Sequence, residues 1–189
     1  MSKKIKFLLL TAMCLIFSTT MAFAATPGQA LDSVMRMHGT ITEINDDMIT
    51  IQDTQSNQSV ALIVRWDTEI LNGKNGADVD LNRLHVGDEL TAYYSSISTR
   101  SLPPQSKAYA LVMGNGEHDA IYMKVNEVEK TKDGVRVLNS NNDVYVTIPK
   151  TVEDDANELK KGDAILVWYD FMALSMPGQA TATKAKILD

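Results

Sequence analysis

Met35-Arg36-Met37-His38 places two thioethers and an imidazole within four residues. Soft sulfur ligands suit Cu(I), so Met35, Met37 and His38 form the candidate metal set. On a strand the two methionines share a face and His38 points the other way. A single site therefore requires the chain to bend at Gly39, and packing in a core is the plainer use of methionine. A second group is aromatic: Trp66, Tyr93, Tyr94, Trp168 and Tyr169. Neighbouring strand residues point to opposite faces, so one member of Tyr93-Tyr94 and one of Trp168-Tyr169 looks away from a barrel core. There it stacks on a sugar ring or packs against another module. The third group is a pair of loops, Leu102-Pro103-Pro104-Gln105 and Met176-Pro177-Gly178-Gln179. Proline pre-sets φ, and a glutamine amide both donates and accepts hydrogen bonds. The candidate ligand-contact residues are thus Tyr93, Tyr94, Arg100, Pro103, Gln105, Trp168, Tyr169 and Gln179, with barrel closure as the competing use of the loops.

Catalytic chemistry finds little support. Gly-x-Ser-x-Gly, His-Glu-x-x-His and phosphate-loop patterns are all absent from the sequence. Asp46-Asp47 and Asp154-Asp155 fall in polar turns, where solvated carboxylates are expected. Asn139-Ser-Asn141-Asn-Asp143 resembles the start of a calcium loop, but its sixth position is Val144 and its twelfth is Lys150, where glycine and glutamate are needed. We read it as a hairpin turn. The three histidines, His38, His85 and His118, are scattered. The expectation is a protein that is not an enzyme and carries no cofactor.

These residues must be positioned by the elements around them. Lys3, Lys4 and Lys6 precede the apolar run Phe7 to Phe17, and Ala22-Phe23-Ala24 follows. This is the pattern of a secretory signal peptide, too short to span a bilayer, with cleavage expected after Ala24. Its removal would take Lys+Arg from 18 to 15 against 24 Asp+Glu, moving the net charge from −6 to −9, and would remove Cys14, the one cysteine. The remaining chain would have no thiol chemistry and a charge that repels nucleic-acid phosphates.

Beyond the leader the chain repeats itself. Asp80-Leu-Asn-Arg-Leu84-His-Val-Gly87-Asp88-Glu-Leu90 matches Asp155-Ala-Asn-Glu-Leu159-Lys-Lys-Gly162-Asp163-Ala-Ile165. Tyr93-Tyr94 matches Trp168-Tyr169 at the same offset. Thr40–Ile44 matches Lys124–Val128, and Val60–Val64 matches Val144–Ile148. Within each copy the alternation is that of strands. The first copy predicts strands over 39–44, 48–51, 60–64, 89–94 and 107–113, with 65–84 a loop ending in a helical turn. The second predicts them over 122–129, 134–138, 144–148, 164–169 and 181–188. A three-strand meander, a long link with a helical turn, then two more strands is the order of an OB-type barrel.

The first copy is similar, in Gly39–Ile44, Met48–Ile51 and Leu84–Leu90, to the small periplasmic copper/silver-binding OB proteins of bacterial efflux systems. That family holds Cu(I) with a histidine in or just after the second strand, then a Trp and a Met-x-Met pair. Gln52 and Asp53 stand at the histidine position here, and Gln55–Ser59 contains no Trp or Met. The resemblance therefore implies the fold and not the ligand set. The segments 98–108 and 172–182 resemble β-modules of secreted Firmicutes-type envelope proteins, which implies export and no chemistry.

The sequence thus predicts an all-β chain of two tandem OB-like five-stranded barrels after an N-terminal signal peptide. The boundaries are 1–24 for the leader, 25–33 for a linker, 34–115 for the first module and 116–189 for the second. The expected role is an exported, non-catalytic binding or scaffolding protein of the periplasm or cell envelope. Its expected partner is an envelope protein or a polysaccharide, with no nucleic acid and no membrane span. Soft-metal binding is the alternative.

Overall fold

The computed structural model describes residues 33–116 and 120–188. The expected leader and cleavage site, Cys14, most of the expected linker and His118 lie outside the described residues. Thirteen strands and two short 3-10 turns make up the described secondary structure. In the first copy β1 (Val34–Asn45), β2 (Met48–Asp53) and β3 (Ser59–Ile63) form the meander. β4 (Glu69–Asn72) and the turn Leu81–Arg83 follow, and β5 (Glu89–Ser98) and β6 (Gln105–Met113) complete the copy. β5 pairs antiparallel with β1 and β6, and β6 pairs parallel with β3. The ring β1-β2-β3-β6-β5 is therefore closed, in the order of an OB barrel.

The second copy repeats the plan with β7 (Ile121–Thr131), β8 (Gly134–Asn139), β9 (Val144–Pro149) and β10 (Ala164–Trp168). Its last strand is interrupted. After the two-residue β11 (Met172–Ala173), β12 (Gly178–Thr181) pairs parallel with β9, while β13 (Lys184–Leu188) pairs antiparallel with β10. The break is spanned by two backbone donors: Ala182 N–H to Thr147 O and Thr183 N–H to Trp168 O, each 2.8 Å. The sheet itself is open, and the chain carries the connection between its two edges.

Alternation explains both cores. Ile41, Ile49, Ile51, Val60, Leu62, Leu90, Ala92, Tyr94 and Leu111 point into the first barrel. Val125, Val135, Val137, Val146, Ile148, Ile165 and Val167 do so in the second. Leu84 and Leu159, the residues that lead into the Gly-Asp turns, close the two barrel ends as buried plugs.

The structure corrects the expected loop over 65–84. Glu69–Asn72 is a strand, parallel to β6. Ile70 packs into the barrel core while Leu71 packs on the outside of the sheet, so both faces of this short strand are buried. Only two apolar residues carry it, too few for alternation to register, and Asn72-Gly73 directly after it reads as a turn. Segment 139–143 is the hairpin turn expected in place of a calcium loop: Asn139 Oδ1 accepts from the backbone N–H of Asp143 (3.0 Å) and Val144 (3.1 Å).

Candidate functional site

The aromatic residues separate by strand parity. Tyr94 faces inward and is part of the first core; burial pushes its phenol pKa up, and the charge of Asp53 adds to this. Tyr93 faces outward, yet it is also buried. With Leu71, Ala110, Val112, Ala120, Leu166, Trp168 and Leu188 it forms a third apolar cluster, drawn from both copies. Tyr93 stacks on Tyr122 of β7 (centroids 6.2 Å apart, planes at 24°), and its hydroxyl donates to Ala120 O. Burial raises its pKa, opposed by the hydrogen bond and charge of Arg36. Tyr109 falls at a bulge in the β5–β6 pairing, and its ring centroid lies 6.0 Å from that of Tyr122. Trp168, the repeat counterpart of Tyr93, is 4% exposed in the same cluster, with Lys184 Nζ 5.9 Å from its ring centroid. Tyr169 follows the end of β10 and is half-buried. Tyr93, Tyr94 and Trp168 are thus packing residues and offer no open stacking face; aromatic burial of this size dominates interface energetics.

The two proline loops are tied down at their backbones. In the first, Ala61 N–H donates to Pro104 O (2.9 Å). Ser101 Oγ donates to Pro103 O (2.8 Å), and Gln105 N–H donates to Thr99 Oγ1 (2.9 Å). In the second, Gly178 N–H donates to Asp143 O (2.7 Å) and Ser175 Oγ to Pro177 O (2.6 Å). The peptide bond before each of Pro103 and Pro177 is cis. Leu102 and Met176, directly before these prolines, are 97% and 94% exposed. Arg100 is exposed at the tip of the first loop. The loops close the barrels through their backbones and present side chains to solvent.

Gln179 reaches a group that the sequence reading missed. Its Oε1 lies 3.5 Å from Arg136 Nη2, and the Arg136 guanidinium stacks on Tyr145, 4.0 Å from the ring centroid. Glu129 Oε2 lies 3.8 Å from Arg136 Nη1. The ladders explain the grouping: Arg136 is opposite Thr147 on β9, and Tyr145 is opposite Gln179 on β12, so all these side chains leave the outer face. A shallow cavity of about 390 Å³ adjoins them, lined by Thr147, Asp170, Phe171, Ala173, Gln179 and Thr181 among others. The signal was present as Val135-Arg136-Val137 and Val144-Tyr145-Val146, where polar residues interrupt buried runs. Only the register brings them together.

The proposed soft-metal residues are not brought together. β1 runs unbroken through Gly39. Met35 and Met37 pair with Tyr94 and Ala92 on one face of the strand, Met37 packing against the core and Met35 exposed, whereas His38 pairs with Thr91, its Nδ1 3.0 Å from the threonine hydroxyl. Among the described residues, no three His, Cys, Asp or Glu side chains group to hold a metal. No helix among them is long and apolar enough to cross a membrane.

Strand order in both copies and closure of the first define the class: an all-β protein of two tandem OB-like barrels, the second with an open sheet. A family model described as "Protein of unknown function (DUF3221)" matches residues 111–189. No curated protein matches the chain. Among solved structures the chain is similar to the single-stranded DNA binding protein from Thermus aquaticus, at 16% identity and TM-score 0.29, over 84% of this chain and 93% of that one. It is also similar to "drosophila Unr CSD456" (10% identity, TM-score 0.27, 82% of this chain and 63% of that one). A third likeness is to a multidomain protein with nucleic acid binding domains from Streptococcus pneumoniae (18%, 0.23, 78% and 45%). The chain thus spans less than two thirds of the length of the second and third of these.

Proposed function

We propose that the protein is an exported, non-catalytic binding or scaffolding module of the bacterial cell envelope, with an envelope protein or a polysaccharide as its partner. The observation that carries this reading is the outward platform Arg136–Tyr145–Gln179. It stands on the second, third and fifth strands of its barrel, where OB folds hold ligands on the strand 2–3 face and the flanking loops. Stacking on Tyr145 pre-orients the Arg136 fork, which lowers the entropy lost when it donates to a carboxylate or hydroxyl. Gln179 adds an amide that can donate and accept, and Phe171 adds an exposed apolar wall. Such a mixed surface suits peptide or saccharide groups and contains no paired nucleophile and base.

The test is photo-cross-linking in cells with a photoreactive residue at position 145, compared with position 48, a half-buried outward place of the first barrel that matches Arg136. Adducts to envelope protein, or retention on purified cell-wall sacculi that Arg136→Ala abolishes, are expected at 145 and not at 48. Equal labelling at both positions, or neither adduct nor retention at 145, would overturn the reading.

A further inference from the structure

A cleft of about 660 Å³ opens beside the first barrel, lined by Asp47, Trp66, Glu69, Asp78, Asp80 and Leu81 among others. Its most unusual wall is Trp66, a large indole that is 93% exposed. The turn that carries it is anchored on both sides. Thr68 Oγ1 accepts from Arg65 N–H (2.9 Å) and donates to Ala108 O (3.0 Å). Asp67 is held by Lys107 Nζ at 2.6 Å, and the Asp67 carboxyl pKa is lowered chiefly by that hydrogen bond. Val64 N–H donates to Asp47 O (2.7 Å), which ties the turn to the β1–β2 hairpin. The indole is therefore displayed from a rigid mount, and ordering it costs a ligand little.

Four carboxylates line the cleft, against the one guanidinium of Arg65. Two of them already hold an ammonium: Lys186 Nζ lies 3.0 Å from Asp78 Oδ1 and 3.4 Å from Glu69 Oε2. The other two, Asp47 and Asp80, are exposed and make no side-chain hydrogen bond or ion pair among the described residues; Asp80 does not cap the turn it precedes. With Lys186 counted, the cleft retains a net charge of −2, four carboxylates against two cations. An indole face and unpaired carboxylates together recognise a positive organic group, by cation–π attraction and by charge-assisted hydrogen bonds.

We propose that this cleft binds an organic cation, an ammonium or guanidinium group that stacks on Trp66 and pairs with Asp47 and Asp80. The group can come from a free polyamine or from a basic side chain of a peptide. Tryptophan fluorescence tests this directly, because the chain has two tryptophans and the other, Trp168, is 4% exposed. The full chain is titrated with spermidine, with a tri-arginine peptide and with neutral maltotriose.

Saturable change with either cation is expected. It should weaken several-fold when salt is raised from about 0.02 M to about 0.2 M. An Asp47→Asn/Asp80→Asn variant, which keeps the indole reporter, should bind about tenfold more weakly. Trp66→Ala, followed by calorimetry, should lose binding to a similar extent with its melting temperature unchanged. Tighter spermidine binding identifies a polyamine as the source, and tighter peptide binding identifies a side chain. No saturation by either cation at millimolar concentration would overturn the proposal. So would equal binding by the variants, or salt-independent binding of maltotriose.

Discussion

The two barrels keep the same register and differ in what they hang on it. Ala61 of β3 is opposite Gln105, and Tyr145 of β9 is opposite Gln179. Met48 is opposite Ile63, and Arg136 is opposite Thr147. The same three outward places therefore hold Met48, Ala61 and Gln105 in the first copy and Arg136, Tyr145 and Gln179 in the second. Trp66, two residues after Val64, corresponds to Lys150, two after Ile148. Inward positions stay largely aliphatic in both, Tyr94 of the first core apart, because close packing favours apolar side chains of fitting shape. The outward face of the fourth strand also stays aromatic, since Tyr93 and Trp168 bury each other's modules. Of the remaining outward positions Ala61 is buried, whereas Trp66 is exposed and Arg136 and Tyr145 are half-buried; there the copies have diverged into an arginine–tyrosine platform on one and an indole cleft on the other.

This contrast is broken most sharply by its two tryptophans. Trp168→Ala should cost about 3–5 kcal/mol, because it empties a buried site between the copies. Trp66→Ala should stay within about 0.5 kcal/mol, as surface changes do. Urea denaturation of both variants measures the pair, and equal costs would refute the division into packing and display. A smaller effect should follow at one close backbone approach in each barrel. A Cβ at Gly39 would run into Gln52 O, and one at Gly134 into Ile148 O. Gly39→Ala and Gly134→Ala should each lose about 1–3 kcal/mol by denaturation. If the open second sheet yields more readily than the closed first ring, Gly134→Ala will be the milder of the two.

The elements were legible in the sequence where two signals agreed. Nine of the ten expected strands followed from alternation and from a repeat that placed the same pattern at the same offset. Glu69–Asn72 escaped because it has no solvent face to alternate with. The last strand of the second copy was expected over 181–188 and is instead split at Ala182-Thr183, where the residues bond to two different strands. Tyr94 and Tyr93 divide into one inward and one outward residue, as alternation predicts, whereas Tyr169 lies just beyond the end of β10, so strand parity does not place it. Sequence alone cannot tell an outward ring facing water from one facing a second module, and here the second module covers it. Arg136, Tyr145 and Gln179 lie up to 43 residues apart. Their grouping depends on register, which periodicity within one strand does not encode.

The junction between the copies also contains charge, and pH sharpens its role. Burial alone would lower the Lys186 pKa, but its hydrogen bond to Asp78 and the charges of Glu69 and Asp78 outweigh this and hold it above the ordinary 10.5. A raised lysine contributes stability that is complete below the unfolded value and is lost as pH rises through the folded one. Because Asp78 is largely exposed, the effect should be at most about 1 kcal/mol. Wild type should therefore lose stability relative to Lys186→Met only above about pH 10.5. A difference that persists unchanged to higher pH would mean that the aliphatic stem of Lys186, and not its charge, matters at the junction.

The smallest effect belongs to the platform itself. Arg136 over Tyr145 is a partly exposed cation–π pair, worth about 0.5 kcal/mol. A double-mutant cycle of Arg136→Ala and Tyr145→Leu isolates that coupling from the loss of either side chain. The same cycle at Met48 and Ala61, with Met48→Arg and Ala61→Tyr, asks whether the first barrel can gain it. Equal coupling in both would show that register alone builds the platform. Coupling in the second barrel only would assign a part to Glu129, which stands opposite Arg136 where Asn45 stands opposite Met48 in the first barrel. In that case the divergence of the copies involves the neighbours of the stacked pair as well as the pair.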